Sequence, residues 1–235
     1  MRWDSGGSIG HAERVTPDID SLVSAGTNGG DWRSTAIIGG PWESDGSLAF
    51  GFFELADAAV ERWKAGHRND AIVIPIIYNY RHGIELALKE EIREAAACLR
   101  RDGVTGPEVQ ADEVDHWMSA THSIEQLVNR LTKLLSQLQL GPGQEIPAET
   151  LDVLGKLHML DQQGQAFRYS AVKTGQRGRR VLERVRPGQQ QFDLVTVAEA
   201  LSDAGTMVLY GVSGVLDAYS EYQSDMADWY GSAEP

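Results

Sequence analysis

Apolar residues recur with the period of an α-helix over most of this chain, and each such stretch ends at a helix breaker. Ser47–Ala65 carries Phe52, Phe53, Ala56, Val60 and Trp63 on one stripe, with Gly66 as its stop. Asp70–Arg101 predicts one long helix. Pro75 sits near its first turn, and Ile77, Ile84, Leu88, Ile92, Ala95 and Leu99 form its stripe. Gly103 and Pro107 end it. Ala120–Leu140 is the cleanest amphipath, built on Ile124, Leu127, Val128, Leu131, Leu134, Leu135 and Leu138, and Gly141-Pro142-Gly143 stops it. Pro147 then opens a shorter helix to Asp161. A last helix spans Thr196–Met226, lined by Leu201, Ala204, Val208, Val212, Val215, Tyr219 and Tyr222. Between these two, Ala166–Val172 is a short extended piece.

The stripes predict an all-α fold: a single helical bundle of about five main helices over residues 47–230, because every stripe needs covering by another. An irregular, Gly-rich N-terminal arm of residues 1–46 precedes it, and a short tail of residues 231–235 follows. The arm holds nine of the 25 glycines, with one short strand expected at Ser34–Ile38. Its GTNGGDWRSTAIIGG stretch lacks the Gly, Lys and Ser/Thr spacing of a phosphate loop, so nucleotide binding is not assigned there.

Composition narrows the classes. With 235 residues and 42% hydrophobic positions, the chain is long enough to bury one substantial core. A single cysteine, Cys98, excludes an internal disulfide framework and a cysteine-based zinc cluster; its alanine-rich surroundings place it in the core. No apolar run is long enough to span a bilayer, and no apolar signal core opens the chain, so a cytoplasmic protein without membrane contact is expected.

Charge is uneven. The net charge is −13, which weighs against a surface that binds nucleic acid everywhere. Yet Arg168, Lys173, Arg177, Arg179, Arg180, Arg184 and Arg186 crowd one short segment, opposed only by Glu183. After Arg186 there is no Lys, Arg or His, while eight acids follow. The basic segment is either a phosphate or RNA contact or the partner of the acidic C-terminal helix.

The long second helix carries candidate chemistry. Tyr78, His82, Glu85, Lys89 and Arg93 fall on one polar face, with Arg81 at its margin. Glu85 and Lys89 have the favourable i, i+4 order. An acid, a base and a cation on one rigid element can hold a phosphate or move a proton. A second cluster, Asp112, Glu113, Asp115, His116 and His122, has no tight metal-ligand spacing, and no metal is assigned to it. His122 is expected just inside the apolar helix, either as a satisfied structural histidine or facing the bundle interior near His82.

Three segments carry a resemblance: YNYRHGIELALKEEI (78–92), HSIEQL (122–127) and QAFRYS (165–170). In this order they resemble the motifs of HEPN-like helical proteins, common in prokaryotic toxin and phage-defence systems. The resemblance spans residues 47–225 and points at Arg81, His82, Glu85, Lys89, His122, Phe167, Arg168 and Tyr169; Ser170 stands where the pattern has proline. It implies a helical bundle, often dimeric. Ribonucleases of that superfamily bring an arginine and a nearby histidine of one motif together across a dimer. Arg62 and His67 match that spacing formally, but Gly66 interrupts them, and adjacent Arg81 and His82 diverge by about 100°. A different arrangement follows, with His82 or His122 set against Arg168.

The expected catalytic groups are therefore His82, Glu85, His122 and Arg168, and the phosphate contacts are Arg81, Lys89, Tyr169, Lys173, Arg177, Arg179 and Arg180. No cofactor is expected. The expected partners are RNA or a nucleotide, together with a second copy of the chain or another protein. The function implied is a defence or toxin-type protein that binds RNA or nucleotide and acts as a metal-independent endoribonuclease. The alternative is a non-catalytic helical interaction or regulatory module. An open cleft at these residues favours the first; burial and mutual bonding favour the second.

Overall fold

A computed structural model describes residues 36, 38–162, 164–174, 181–189, 191 and 193–231. Residues 40–235 form one compact unit. The unit before it, 1–39, contributes Ala36, Ile38 and Gly39 to the described residues, so the strand expected at Ser34–Ile38 falls largely outside them.

The described chain is an all-α bundle with one small hairpin. Helices α1 (Asp45–Lys64), α2 (Val73–Arg101), α3 (Ala111–Ser119), α4 (Ile124–Gln137) and α5 (Ala148–Leu160) come first. Strands β1 (Ala171–Thr174) and β2 (Val181–Arg184) then pair antiparallel, with Ala171 opposite Arg184. Helix α6 (Leu194–Thr206) continues through a π-helical segment, Met207–Val212, into α7 (Ser213–Gly231). No described helix is long and apolar enough to cross a membrane.

Local chemistry sets the helix ends. Ser44 caps α1: its Oγ accepts the Ser47 N–H at 3.1 Å, and the Ser47 Oγ accepts the Ser44 N–H at 2.9 Å. Gly66, at φ 90°, closes α1 in a conformation that a side chain would strain. Asp193 caps α6 through the Val195 and Thr196 N–H groups.

Helix α2 is the axis of the bundle. Ile84, Ala87, Leu88, Ile92, Ala95, Ala96 and Leu99 are buried along it, against Phe53 and Val60 of α1, Leu127 and Leu131 of α4, and Leu201 and Val208 downstream. Phe53 locks three helices together. A Cβ on Gly83 of α2 would lie 2.6 Å from the Phe53 ring, and one on Gly205 of α6 would lie 2.5 Å from it. Small residues are required on both sides of that ring. Gly83→Ala and Gly205→Ala should each cost about 1–3 kcal/mol, as overpacking does. Thermal denaturation checks this, and an unchanged melting temperature for either variant would mean the ring has room to move.

Three elements differ from the sequence expectation. The amphipath expected over Ala120–Leu140 is shorter, and a separate helix, α3, precedes it. The break falls at Ala120–Ser123, where the Ser123 Oγ accepts the Gln126 N–H at 3.3 Å and starts α4. His122 is therefore in the connection rather than inside the helix. Of the extended piece expected at Ala166–Val172, residues 166–168 form a turn in which the Arg168 and Tyr169 N–H groups donate to the Gln165 carbonyl, and the strand is β1, paired with β2. The last helix starts at Leu194 and carries a π segment, which the apolar period did not reveal.

Candidate functional site

Glu85 organises the site. Its side chain is 4% exposed, and both oxygens are engaged. Oε1 accepts the Lys89 ammonium at 2.9 Å and lies 2.8 Å from Nδ1 of His122. Oε2 accepts Nη1 of Arg81 at 2.9 Å. Burial alone would raise the Glu85 pKa, but hydrogen bonds from His122, Lys89 and Arg81 outweigh it and hold the carboxyl at about 2. Glu85 is thus ionised at neutral pH and only accepts hydrogen bonds. Nδ1 of His122 therefore carries the proton between them, and Nε2 is the ring's other nitrogen.

Arg81 ties this pair to the rest of the fold. Its side chain is 2% exposed. Nη2 donates to the His122 carbonyl at 2.6 Å, and Nε lies 3.0 Å from Oδ2 of Asp161, an ion pair without hydrogen-bond alignment. The other Asp161 oxygen accepts the N–H groups of Gln165 and Ala166 at 2.7 and 2.9 Å. One buried carboxylate therefore fixes both Arg81 and the loop after α5. The two cations Arg81 and Lys89 are matched by the two carboxylates Glu85 and Asp161, as burial demands.

That loop delivers Arg168. Gly164, at φ 69°, lies so close that an added Cβ would stand 3.1 Å from both Nη2 of Arg81 and Cβ of His122. The Gly164 carbonyl accepts Nε of Arg168 at 2.6 Å, and the Arg168 guanidinium lies 5.8 Å from the Tyr169 ring centroid. Phe167 packs on the core and Tyr169 is exposed. Arg186 then holds the base of the hairpin to this loop: it donates to the carbonyls of Ala166 and Tyr169, while the Val185 N–H donates to the Ser170 carbonyl at 3.0 Å.

His82 stands next to the cluster in an aromatic setting. Its ring meets Phe52 edge-on at 4.6 Å and stacks on Tyr78 at 5.6 Å. Burial pushes its pKa below the ordinary imidazole range; Glu85 opposes this, and the charges of Arg81, Lys89 and Arg168 add to it. His82 is neutral at physiological pH.

The structure thus joins Arg81, Glu85, Lys89 and His122 directly, and Arg168 through Gly164. Arg81, expected at the margin of a polar face and as a phosphate contact, is buried with its guanidinium engaged; it holds the site together. His122, expected as a structural histidine or facing the bundle interior, keeps 51% of its side chain exposed. Arg93 is drawn away to Asp45 and Asp115, tying α2 to the start of α1 and to α3. Lys173 is on β1 with its backbone opposite Leu182, and Arg177, Arg179 and Arg180 lie outside the described residues. Arg168 and Arg186 bond main-chain carbonyls rather than the acidic C-terminal helix. Asp161 and Gly164 escaped the sequence reading, which took Asp161 only as a helix end. Among the described residues, no group of three or more His, Cys, Asp or Glu side chains is placed to hold a metal ion.

No protein-family model, curated protein or solved structure matches this chain. Function therefore rests on the site's own chemistry. An ionised, buried carboxylate meets one nitrogen of a half-exposed imidazole and also holds Arg81 and Lys89. That is the arrangement of a general base oriented by a carboxylate.

Proposed function

We propose that this protein is a HEPN-like RNA-binding protein of the prokaryotic toxin or defence type, which cleaves RNA without a metal. The observation that carries the proposal is the Glu85–His122 pair: a 2.8 Å contact to a buried carboxylate, with the imidazole half exposed. In this reading Nε2 of His122 takes the proton of a ribose 2′-hydroxyl. The 2′-oxygen attacks the adjacent phosphorus, the bond to the 5′-oxygen breaks, and that oxygen takes a proton from water. A 2′,3′-cyclic phosphate and a 5′-hydroxyl result. Arg168 and Lys89 offer positive charge to the phosphorane as it forms. Arg184, exposed on β2 beside the Arg186 anchor, adds a further cation for the strand.

The experiment is incubation of the purified protein with cellular RNA in EDTA, beside His122→Ala, Glu85→Gln and the His122→Ala, Arg168→Ala double variant. Wild type should leave cyclic phosphate ends. His122→Ala should lose about 100-fold or more in rate, the usual contribution of a general base. Glu85→Gln should lose activity, because an amide no longer selects the Nδ1–H tautomer, and should melt lower, because Arg81 and Lys89 lose their shared anion; its rate is compared below that melting temperature. Cleavage by the double variant at the wild-type rate would overturn the site.

A second reading has its own observation. Arg81 and Glu85 are buried and mutually bonded, as in a non-catalytic helical interaction or regulatory module, where such a network only fixes the packing. Absence of cleavage by well-folded wild type would decide for it.

A further inference from the structure

Away from the Glu85–His122 pair, a groove of about 940 Å³ opens between the end of α1, the start of α2 and the described residues from Arg186 to Val195. Trp63, Arg68, Arg186 and Gln189 help to line it. Trp63 is half-buried, packed on the core from one side. Arg68 is exposed and forms no ion pair among the described residues. Arg186 lines the groove while its guanidinium also donates to the carbonyls of Ala166 and Tyr169, so the groove and the Arg168 loop share one cation. Lys64 in the same lining is answered by Glu61 and Glu199, and Asp193 is turned to the N–H groups of α6. Asp70 is the remaining acid. In a chain of net charge −13, an aromatic wall beside two arginines and two amides, Gln189 and Gln191, is a local exception.

We infer that this groove is a subsite for single-stranded RNA, in which a base stacks on Trp63 and the flanking phosphates meet Arg68 and Arg186. The inference rests on the RNA reading above and names where the strand runs. Stacking on an aromatic wall next to a cationic rim is how single strands are held without base pairing. Ile74, in the lining, precedes Glu85 on the same helix by eleven residues. That is about 16 Å along α2, which a stacked strand covers in about five nucleotides. One strand can therefore reach both places. Base plus phosphate is also the chemistry of a free nucleoside triphosphate, so the test separates the two sources.

The test uses the full chain and a fluorescent 2′-O-methyl oligouridine of about 12 nucleotides, within the usual reach of single-strand sites. The methyl group removes the attacking hydroxyl, so binding is measured without cleavage. Anisotropy titrations at several salt concentrations should show wild type binding. Arg68→Gln should bind about tenfold more weakly, with a log–log salt slope shallower by about 0.7, one phosphate contact. Arg68 is exposed, so this variant should melt like wild type. ATP should displace the strand only at great excess. Wild-type affinity in Arg68→Gln, no binding by wild type, or displacement by equimolar ATP would each overturn the subsite. The two readings fail separately. Cleavage by wild type with no effect of Arg68 on binding sinks the groove and leaves His122. Arg68-dependent binding with no cleavage keeps the groove and sinks the catalytic role.

Discussion

Arg81→Met should destabilise the fold by about 3–5 kcal/mol, the cost of removing one partner from a buried charge network. Arg81 is 2% exposed and answers both Glu85 and Asp161. Methionine fills similar volume, so the loss is electrostatic rather than a cavity. Glu85 would keep Lys89 and His122, and Asp161 would keep two backbone N–H groups, but the His122 carbonyl would lose its donor. Arg81→Lys should recover only part, because a compact ammonium does not span the separate partners that Nη1, Nη2 and Nε reach. Adding Asp161→Asn to Arg81→Met should cost less than the sum of the two singles, since the orphaned carboxylate is then neutral. Chemical denaturation of the four proteins measures this cycle; strict additivity would mean Arg81 and Asp161 do not interact. The network also sets the acid limit. Glu85 has its pKa lowered from 4.5 to about 2, so its contribution is present above 4.5 and is lost as pH falls toward 2.

The all-α bundle was legible because helical stripes are long, and burial of one stripe demands another. The polar face of α2 was legible too, since spacing fixes angles around a helix. Depth was not. Arg81 and His82 are neighbours in sequence, yet one is sealed and the other half-open, because the loop after α5 covers Arg81 and reaches it through Gly164 and Asp161. Nothing in the period of α2 announces which later loop will fold over it. The position of His122 was recoverable: Ser123-x-x-Gln126 is a helix-start pattern, and the long apolar run that follows hid it. Strand β2 is four residues long and lies inside the basic segment, too short for its alternation to stand out.

Glu91→Leu should do the reverse of Arg81→Met and stabilise the fold, increasingly so toward alkaline pH. Glu91 is 1% exposed on α2, and its Oε2 has no hydrogen-bond partner among the described residues. Burial, with Glu90, Glu94 and Asp217 adding negative potential, raises its carboxyl to about 8. The folded chain thus holds a proton that the unfolded chain releases near 4.5. Stability from this proton is complete below 4.5 and drains away as pH rises through about 8, with a slope of at most about 1.4 kcal/mol per pH unit. Glu85 works in the opposite sense over its own window, so the two together favour the weakly acidic range. Leucine in place of Glu91 should flatten the alkaline side and be worth roughly 3 kcal/mol at pH 8, on the scale of relieving an unpaired buried polar group. Glu91→Gln should flatten the slope as well but gain less, because its amide stays unpartnered. Denaturation midpoints measured from pH 5 to pH 9 decide it: a wild-type slope that survives in both variants would place the titrating group elsewhere.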